Sequence, residues 1–129
     1  MWQYLRMSSD STASPSTASR SPSPAPQGRK TGPFAGLLVL DLTRVLAGPY
    51  AALMLGEMGA RIIKIEPPIK GDDSRHIGPF VKTKTGKVKS GYFMSVNRGK
   101  ESIALDLKAD GDRKIFEALL SRADVLIEN

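Results

Sequence analysis

Cysteine is absent from the 129 residues and histidine occurs once. The missing thiols exclude disulfides, zinc-thiolate sites and a cysteine nucleophile, and they permit a reducing compartment. The single histidine, His76, stands in a polar segment and reads as a solvated loop residue, with no metal-ligand cluster around it. Long apolar runs are missing too. None approaches the roughly 18 residues that a membrane-spanning helix needs, so a soluble chain is expected. What the sequence has in excess is positive charge, a net +6 with an isoelectric point near 9.8. That balance favours anionic partners, whether nucleic acid, a phosphorylated cofactor or an acidic membrane surface, and does not choose among them.

Residues 8–27 are Ser, Thr, Ala and Pro almost throughout. Such a stretch buries too little apolar surface to offset its conformational entropy, and residues 1–33 are expected to form a disordered tail. Up to Lys30 the only acidic residue is Asp10, against Arg6, Arg20, Arg29 and Lys30. This is the composition of a mitochondrial presequence, although Pro15, Pro22, Pro24 and Pro26 would break the amphipathic helix a presequence forms. A targeting segment and a plain tail both fit, and a mitochondrial or cytoplasmic rather than secreted protein is expected.

From Phe34 onward the pattern is that of an α/β domain. Residues 37–42 form a short, nearly continuous apolar run, as in a parallel strand covered on both faces. Gly48 and Pro49 predict a helix start, with proline at the first helical position, and Gly59 its left-handed stop. Residues 62–65 predict the next strand. A second round follows a long polar stretch: a strand over 102–107, an N-cap at Asp110, a helix over 113–121 and a strand over 125–127. The expected fold class is therefore α/β, with Rossmann-like βαβ units of a parallel sheet.

Four segments are candidate sites. The turn Thr43-Arg44-Val45-Leu46-Ala47-Gly48-Pro49 joins the carboxyl end of a strand to a helix amino terminus, where open α/β sheets bind ligands and free amide hydrogens favour anions. A tight connection that simply needs one glycine fits equally well. Glu66, about twenty residues on, stands where a dinucleotide-binding fold places its ribose-binding acid, but two of the three glycines of that fold's phosphate turn are missing. Gly71-Asp72-Asp73-Ser74-Arg75 offers two carboxylates and a forked cation, either to orient an anionic substrate or as a surface loop with a local ion pair. Between Lys82 and Lys100 a basic stretch carries Tyr92 and Phe93, a pattern shared by nucleic-acid surfaces, by ordinary solvated faces and by the rim of a phosphorylated-cofactor site. Within it, Asn97-Arg98-Gly99-Lys100 is placed nearest such a ligand.

These phrases, with Val39-Leu40-Asp41-Leu42-Thr43, Gly59-Ala60-Arg61-Ile62-Ile63-Lys64-Ile65-Glu66, Ser102-Ile103-Ala104-Leu105-Asp106 and Ala123-Asp124-Val125-Leu126-Ile127-Glu128-Asn129, resemble the opening of the family III CoA-transferases. The resemblance covers residues 34–129, read as the amino-terminal part of that family's large domain. It implies coenzyme A or an acyl-CoA as substrate, a carboxylic acid as the second substrate, no metal, and neither a nucleic-acid nor a membrane partner. It also implies an interlocked homodimer at full length, of which this chain is an incomplete part. Val45 and the neighbouring turn atoms of Ala47 and Gly48 are expected to contact the coenzyme, Leu105 to pack near its adenine, and Asn129 to lie at the same pocket. Where some relatives carry an arginine after the strand-ending glutamate, this chain has Pro67-Pro68, and Lys70, Arg75 or Arg98 is expected to substitute for it at the phosphates, with Lys100 also counted among the coenzyme-binding residues.

The family's aspartate nucleophile attacks the thioester to give a mixed anhydride, then an enzyme-CoA thioester, then transfer to an acceptor carboxylate. That aspartate lies downstream of Asn129, so no catalytic residue is assigned and this stretch alone is expected to be inactive. Succinyl-CoA-dependent dicarboxylate transferases are the nearest in flavour. A catalytically inactive CoA-binding module and a dinucleotide-dependent oxidoreductase fragment are the alternatives, with a nucleic-acid binder resting on charge alone.

Overall fold

A computed structural model describes residues 31–129; the readings of residues 1–30 as a disordered tail or a targeting signal fall outside the residues so described, whereas Gly32, assigned to that tail, is part of an ordered turn in which its carbonyl accepts the Ala35 amide hydrogen at 3.0 Å. In chain order the elements are β1 (Leu38–Asp41), α1 (Ala47–Glu57), β2 (Arg61–Glu66), a 3-10 turn (Asp73–His76), β3 (Phe80–Lys82), β4 (Val88–Ser90), α2 (Gly91–Asn97), β5 (Glu101–Ala104), α3 (Asp110–Leu120) and β6 (Val125–Ile127). Strands β5, β2, β1 and β6 lie side by side in that order, all parallel, while β3 and β4 form a separate antiparallel hairpin.

The sheet is covered on both faces, which is why apolar residues of its strands point to both sides. Val39, Ile62 and Ile127 face α1 and pack with Ala52 and Ala60, joined by Phe34 and Leu55. Leu40, Ile63, Ile65 and Leu105 face the other way, against Phe116, Leu119 and Leu120 of α3. Helix α1 stops where the sequence predicts. Gly59 takes φ +106°, its amide hydrogen bonds Gly56 O at 3.1 Å and that of Ala60 bonds Leu55 O at 3.0 Å, so a paired C-terminal cap turns the chain into β2.

Several boundaries differ from the sequence reading. Helix α1 begins at Ala47, so Pro49 is its third residue rather than its first; the missing amide hydrogen still costs nothing, because no first-turn amide has a helical partner. Asp110 is the first residue of α3 and not its cap, which falls on Ala109 with no side-chain bond. Strand β5 is Glu101–Ala104, since the chain leaves the ladder after pairing with Glu66. The long polar stretch is structured: it holds the hairpin, and Ser90 caps α2 by accepting the Phe93 amide hydrogen at 3.0 Å. No helix among the described residues is long and apolar enough to cross a membrane.

Candidate functional site

Because β2 and β5 follow β1 on one side of it, and β6 is then added on its other side, the strand order reverses between β1 and β6. Open α/β sheets form their ligand crevice at such a switch point. Here it is a cleft of about 420 Å³ lined by Arg44, Val45, Leu46, Ala47, Asp73 and Asn129. Its two walls are joined by Asn129, whose Nδ2 donates to Arg44 O at 3.2 Å and whose Oδ1 accepts the Arg44 amide hydrogen at 3.0 Å. A side-chain amide suits the position because it carries both a donor and an acceptor, and so extends the ladder that ends in the Leu42 N–H to Ile127 O bond of 2.9 Å.

Val45 has φ +67°, the left-handed region, where a β-branched residue is an outlier costing on the order of 1–3 kcal/mol. Its side chain is 42% exposed and faces the cleft. Val45→Gly should therefore gain roughly 1 kcal/mol of stability, the strain relieved exceeding the extra entropy glycine loses on folding. A thermal midpoint unchanged or lowered in Val45→Gly would contradict this account of the turn.

Beneath the cleft, on the α1 side of the sheet, lies a buried polar network. Lys64 is 1% and Asp41 and Asp72 are 0% exposed. The Lys64 ammonium lies 2.8 Å from Asp72 Oδ2 and 3.9 Å from Asp41 Oδ2, and donates to Thr43 O at 2.7 Å. Lys100 donates to Asp41 Oδ2 at 2.8 Å, Asn97 Oδ1 at 2.8 Å and Pro49 O at 2.7 Å. Asp41 Oδ1 also accepts from the Thr43 amide and hydroxyl. Two carboxylates thus face two ammonium groups, and the cluster is neutral. Burial pushes the Lys100 ammonium below the usual lysine range, with Asp41 opposing. Asp72 is held below the usual carboxylate range: burial alone would raise it, and bonds from Lys64 and Ser74 outweigh that.

Glu66, at the end of β2, is saturated. Arg75 grips it with two bonds of 2.7 Å, Ser102 Oγ donates at 2.6 Å, and the Asp72 amide hydrogen at 2.9 Å. Arg75 in turn lies over the Phe93 ring, 3.7 Å from its centroid. Burial would raise the Glu66 carboxyl, but these bonds together hold it down to about 2 from 4.5. Its folded form is stabilised above the unfolded value, and that stabilisation is lost as pH falls from about 4.5 toward 2. Urea unfolding at pH 5 and pH 3 should show a smaller acid-induced loss for Glu66→Gln than for the unaltered protein; equal losses would remove Glu66 from the acid response.

Of the residues singled out in the sequence, Val45, Ala47 and Asn129 meet at the cleft. Gly48 lies one residue deeper, buried against Thr43. Lys100 is buried in the network and Arg75, its side chain 40% exposed, grips Glu66; neither lines the cleft. Leu105 is buried among the side chains of the α3 face. Arg98 pairs with Glu57 at 3.3 Å, at the far end of α1 from Ala47. In Gly71-Asp72-Asp73-Ser74-Arg75 the carboxylates diverge, Asp72 inward and Asp73 outward to the cleft, so this is no ordinary surface loop. Lys82, Lys84, Lys87 and Lys89 are exposed on or beside the hairpin strands, whereas Tyr92 and Phe93 are half-buried in α2, with Phe93 covered by Arg75. The aromatic interleaving expected of a nucleic-acid face is not formed there. Arg44, Leu46 and Asp73 fall within the candidate segments without having been picked out as contacts, and sequence reasoning missed Lys64 and its pairing with Asp41 and Asp72. One signal was available: a lysine inside Ile62-Ile63-Lys64-Ile65 demands a buried partner.

A parallel sheet with an open cleft at the strand switch, braced by buried ion pairs, defines an α/β domain of the open, doubly covered class. Comparison with known sequences gives the family. The sequence model of CoA-transferase family III matches residues 34–129, and the chain belongs to that family. It is 57% identical over 98 residues to the acetyl-CoA:oxalate CoA-transferase of Acetobacter aceti, covering 76% of this chain and 24% of that protein. It is 49% identical over 98 residues to the human succinyl-CoA:glutarate CoA-transferase, covering 75% and 21%. Among solved structures, a CAIB/BAIF family protein from Brucella suis superposes with a TM-score of 0.72 at 42% identity, over 78% of this chain and 26% of that one. The chain thus spans about a quarter of the length of the curated relatives it matches.

Proposed function

We propose that residues 34–129 are the coenzyme-holding amino-terminal part of the large domain of a CoA-transferase, which moves CoA between an acyl-CoA thioester and a carboxylic acid. The observation that carries this reading is the convergence of Val45, Ala47 and Asn129 on one cleft at the switch point. In this reading Val45, Leu46 and Ala47 give the coenzyme an apolar wall. The amino terminus of α1 adds the positive end of a helix dipole with no acidic residue in its first turn. Arg44, whose one ion pair among the described residues is an exposed contact of 3.9 Å to Asp73, can turn to a phosphate at little cost, since such surface pairs contribute on the order of 0–1 kcal/mol.

The aspartate carboxylate attacks the acyl-CoA thioester, giving an aspartyl-acyl anhydride and CoA thiolate; the thiolate attacks the aspartyl carbonyl, releasing the first acid and leaving an aspartyl-CoA thioester; the acceptor carboxylate attacks that thioester to form a second anhydride, whose acyl group the freed thiolate takes as the new CoA ester, releasing the aspartate. The aspartate belongs to sequence outside this chain, as does the pairing of two chains into an interlocked homodimer. Succinyl-CoA and a dicarboxylate are the proposed substrates, in line with relatives named for oxalate, mesaconate and glutarate. A dinucleotide oxidoreductase is disfavoured by Glu66, whose two oxygens are already taken by four donors and have none to offer a ribose.

The test is titration calorimetry of the chain with coenzyme A and with NADH, alongside a transfer assay on a protein extended through the aspartate. That assay offers succinyl-CoA and isotope-labelled oxalate, mesaconate or glutarate and reads the labelled CoA ester by mass spectrometry. Binding of coenzyme A and label transfer are expected. Binding without transfer would favour an inactive CoA-binding module, and failure of both would overturn the reading.

A further inference from the structure

The buried loop residue Asp72 makes one bond that its role in the ion-pair cluster does not require. Its Oδ2 faces Lys64 at 2.8 Å, and its Oδ1 accepts from the Ser74 amide at 2.9 Å and hydroxyl at 2.6 Å. The same Oδ1 also accepts the amide hydrogen of Val45 at 3.2 Å, 27 positions away. Lys64, for its part, donates to the carbonyl of Thr43. The pair therefore grips both sides of Arg44: the carbonyl before it and the amide after it. On the opposite side Arg44 is bonded to Asn129.

We infer that Asp72 is a positioning residue of the coenzyme cleft, which, locked against Lys64, holds the Val45 amide and so keeps the 43–47 turn in the shape that receives the coenzyme. The inference rests on the reading of that cleft as the CoA site. The physical reason is the backbone of Val45. A valine at φ +67° stays there only when its surroundings over-determine it, and the Asp72 carboxylate holds its amide hydrogen. Asp72 itself is 0% exposed and is not among the residues lining the cleft, so it acts through Val45 and not by touching the ligand. The rigid seat has a chemical use, because a pre-shaped turn spares the coenzyme the cost of ordering it on binding.

Asp72→Ala should weaken coenzyme A binding to the protein about tenfold by calorimetry, the loss typical of a hydrogen bond to a charged group. Asp72→Asn combined with Lys64→Met keeps an acceptor in place and leaves no unpaired charge, and should bind within about twofold of the unaltered protein. In a Val45→Gly background, Asp72→Ala should cost less than about threefold, because glycine adopts positive φ unaided. A purely structural Asp72 would cost the same factor in both backgrounds, and that result, or loss of binding in the charge-free pair, would overturn the inference. Should Asp72→Ala not fold, amide exchange in the unaltered protein decides: Val45 is expected to be protected, and exchange at an open-loop rate would overturn the clamp. If the unaltered protein fails to bind coenzyme A at all, the reading of the cleft falls and takes the role of Asp72 with it, whereas protection of Val45 with normal binding and no coupling refutes the role of Asp72 alone.

Discussion

Lys64→Met, made alone, is expected to lower folding stability by about 3–5 kcal/mol, the cost of leaving a buried charge without its partner. Methionine matches the lysine stem in volume, so packing between Ile63 and Ile65 is largely kept. What is lost is the ammonium facing Asp72 at 2.8 Å and the bond to Thr43 O. Asp41 is spared, because Lys100 still holds it at 2.8 Å. Adding Asp72→Asn should return most of the loss, since a neutral amide keeps the loop bonds without an uncompensated charge. Against the total of about 5–15 kcal/mol typical of a domain, the single variant would stand close to unfolding. Urea denaturation of the single and double variants measures both numbers. A single variant within about 1 kcal/mol of the unaltered protein would mean that Asp72 finds water or takes up a proton.

Gly48→Ala should cost about 2–3 kcal/mol, at the upper end of the usual range for overpacking. A Cβ at position 48 would lie 2.3 Å from Thr43 Cβ and 2.6 Å from Thr43 Oγ1. Thr43 cannot step aside cheaply, because its hydroxyl and amide are bonded to Asp41 and its carbonyl to Lys64. The glycine therefore serves the close approach of α1 to the end of β1. A useful control is Gly111→Ala in α3, where a Cβ would meet nothing within 4 Å. There alanine's better helix propensity should leave stability equal or up to about 1 kcal/mol higher. Thermal unfolding of the two variants checks the contrast, and a Gly48→Ala protein as stable as the unaltered one would remove the steric argument.

The elements that could be read from sequence were those whose signal is local. A nearly continuous apolar run marked β1, three isoleucines between residues 62 and 65 marked β2, Gly59 marked the end of α1, and Val125–Ile127 was placed to the residue. The hairpin could not be read in the same way, because its strands are three residues each and exposed lysines carry no alternation toward a core. The cap of α3 was misplaced for a related reason: Asp106 and Asp112 serve backbone amides in the same turn, so several acids compete for one pattern. For the site, the turn 43–49 and Asn129 were legible as motifs, while the roles of Lys64, Asp72 and Arg75 depend on partners many positions away that only the folded sheet brings together. A lysine in an apolar strand announces that a partner exists and does not say which carboxylate it is.

The amide pair between Arg44 and Asn129 joins positions 85 apart in the chain. At ribosomal speeds of about 5–20 residues per second, the residue that closes the cleft emerges on the order of ten seconds after the turn that opens it. Strand β1, helix α1 and strand β2 can pair and pack in that interval through near neighbours, but the crevice waits for the long-range docking of β6. If the cleft is the coenzyme site proposed above, a nascent chain offers the coenzyme no seat until β6 has docked, and stabilisation by it falls, through mass action, only on molecules that have completed that step.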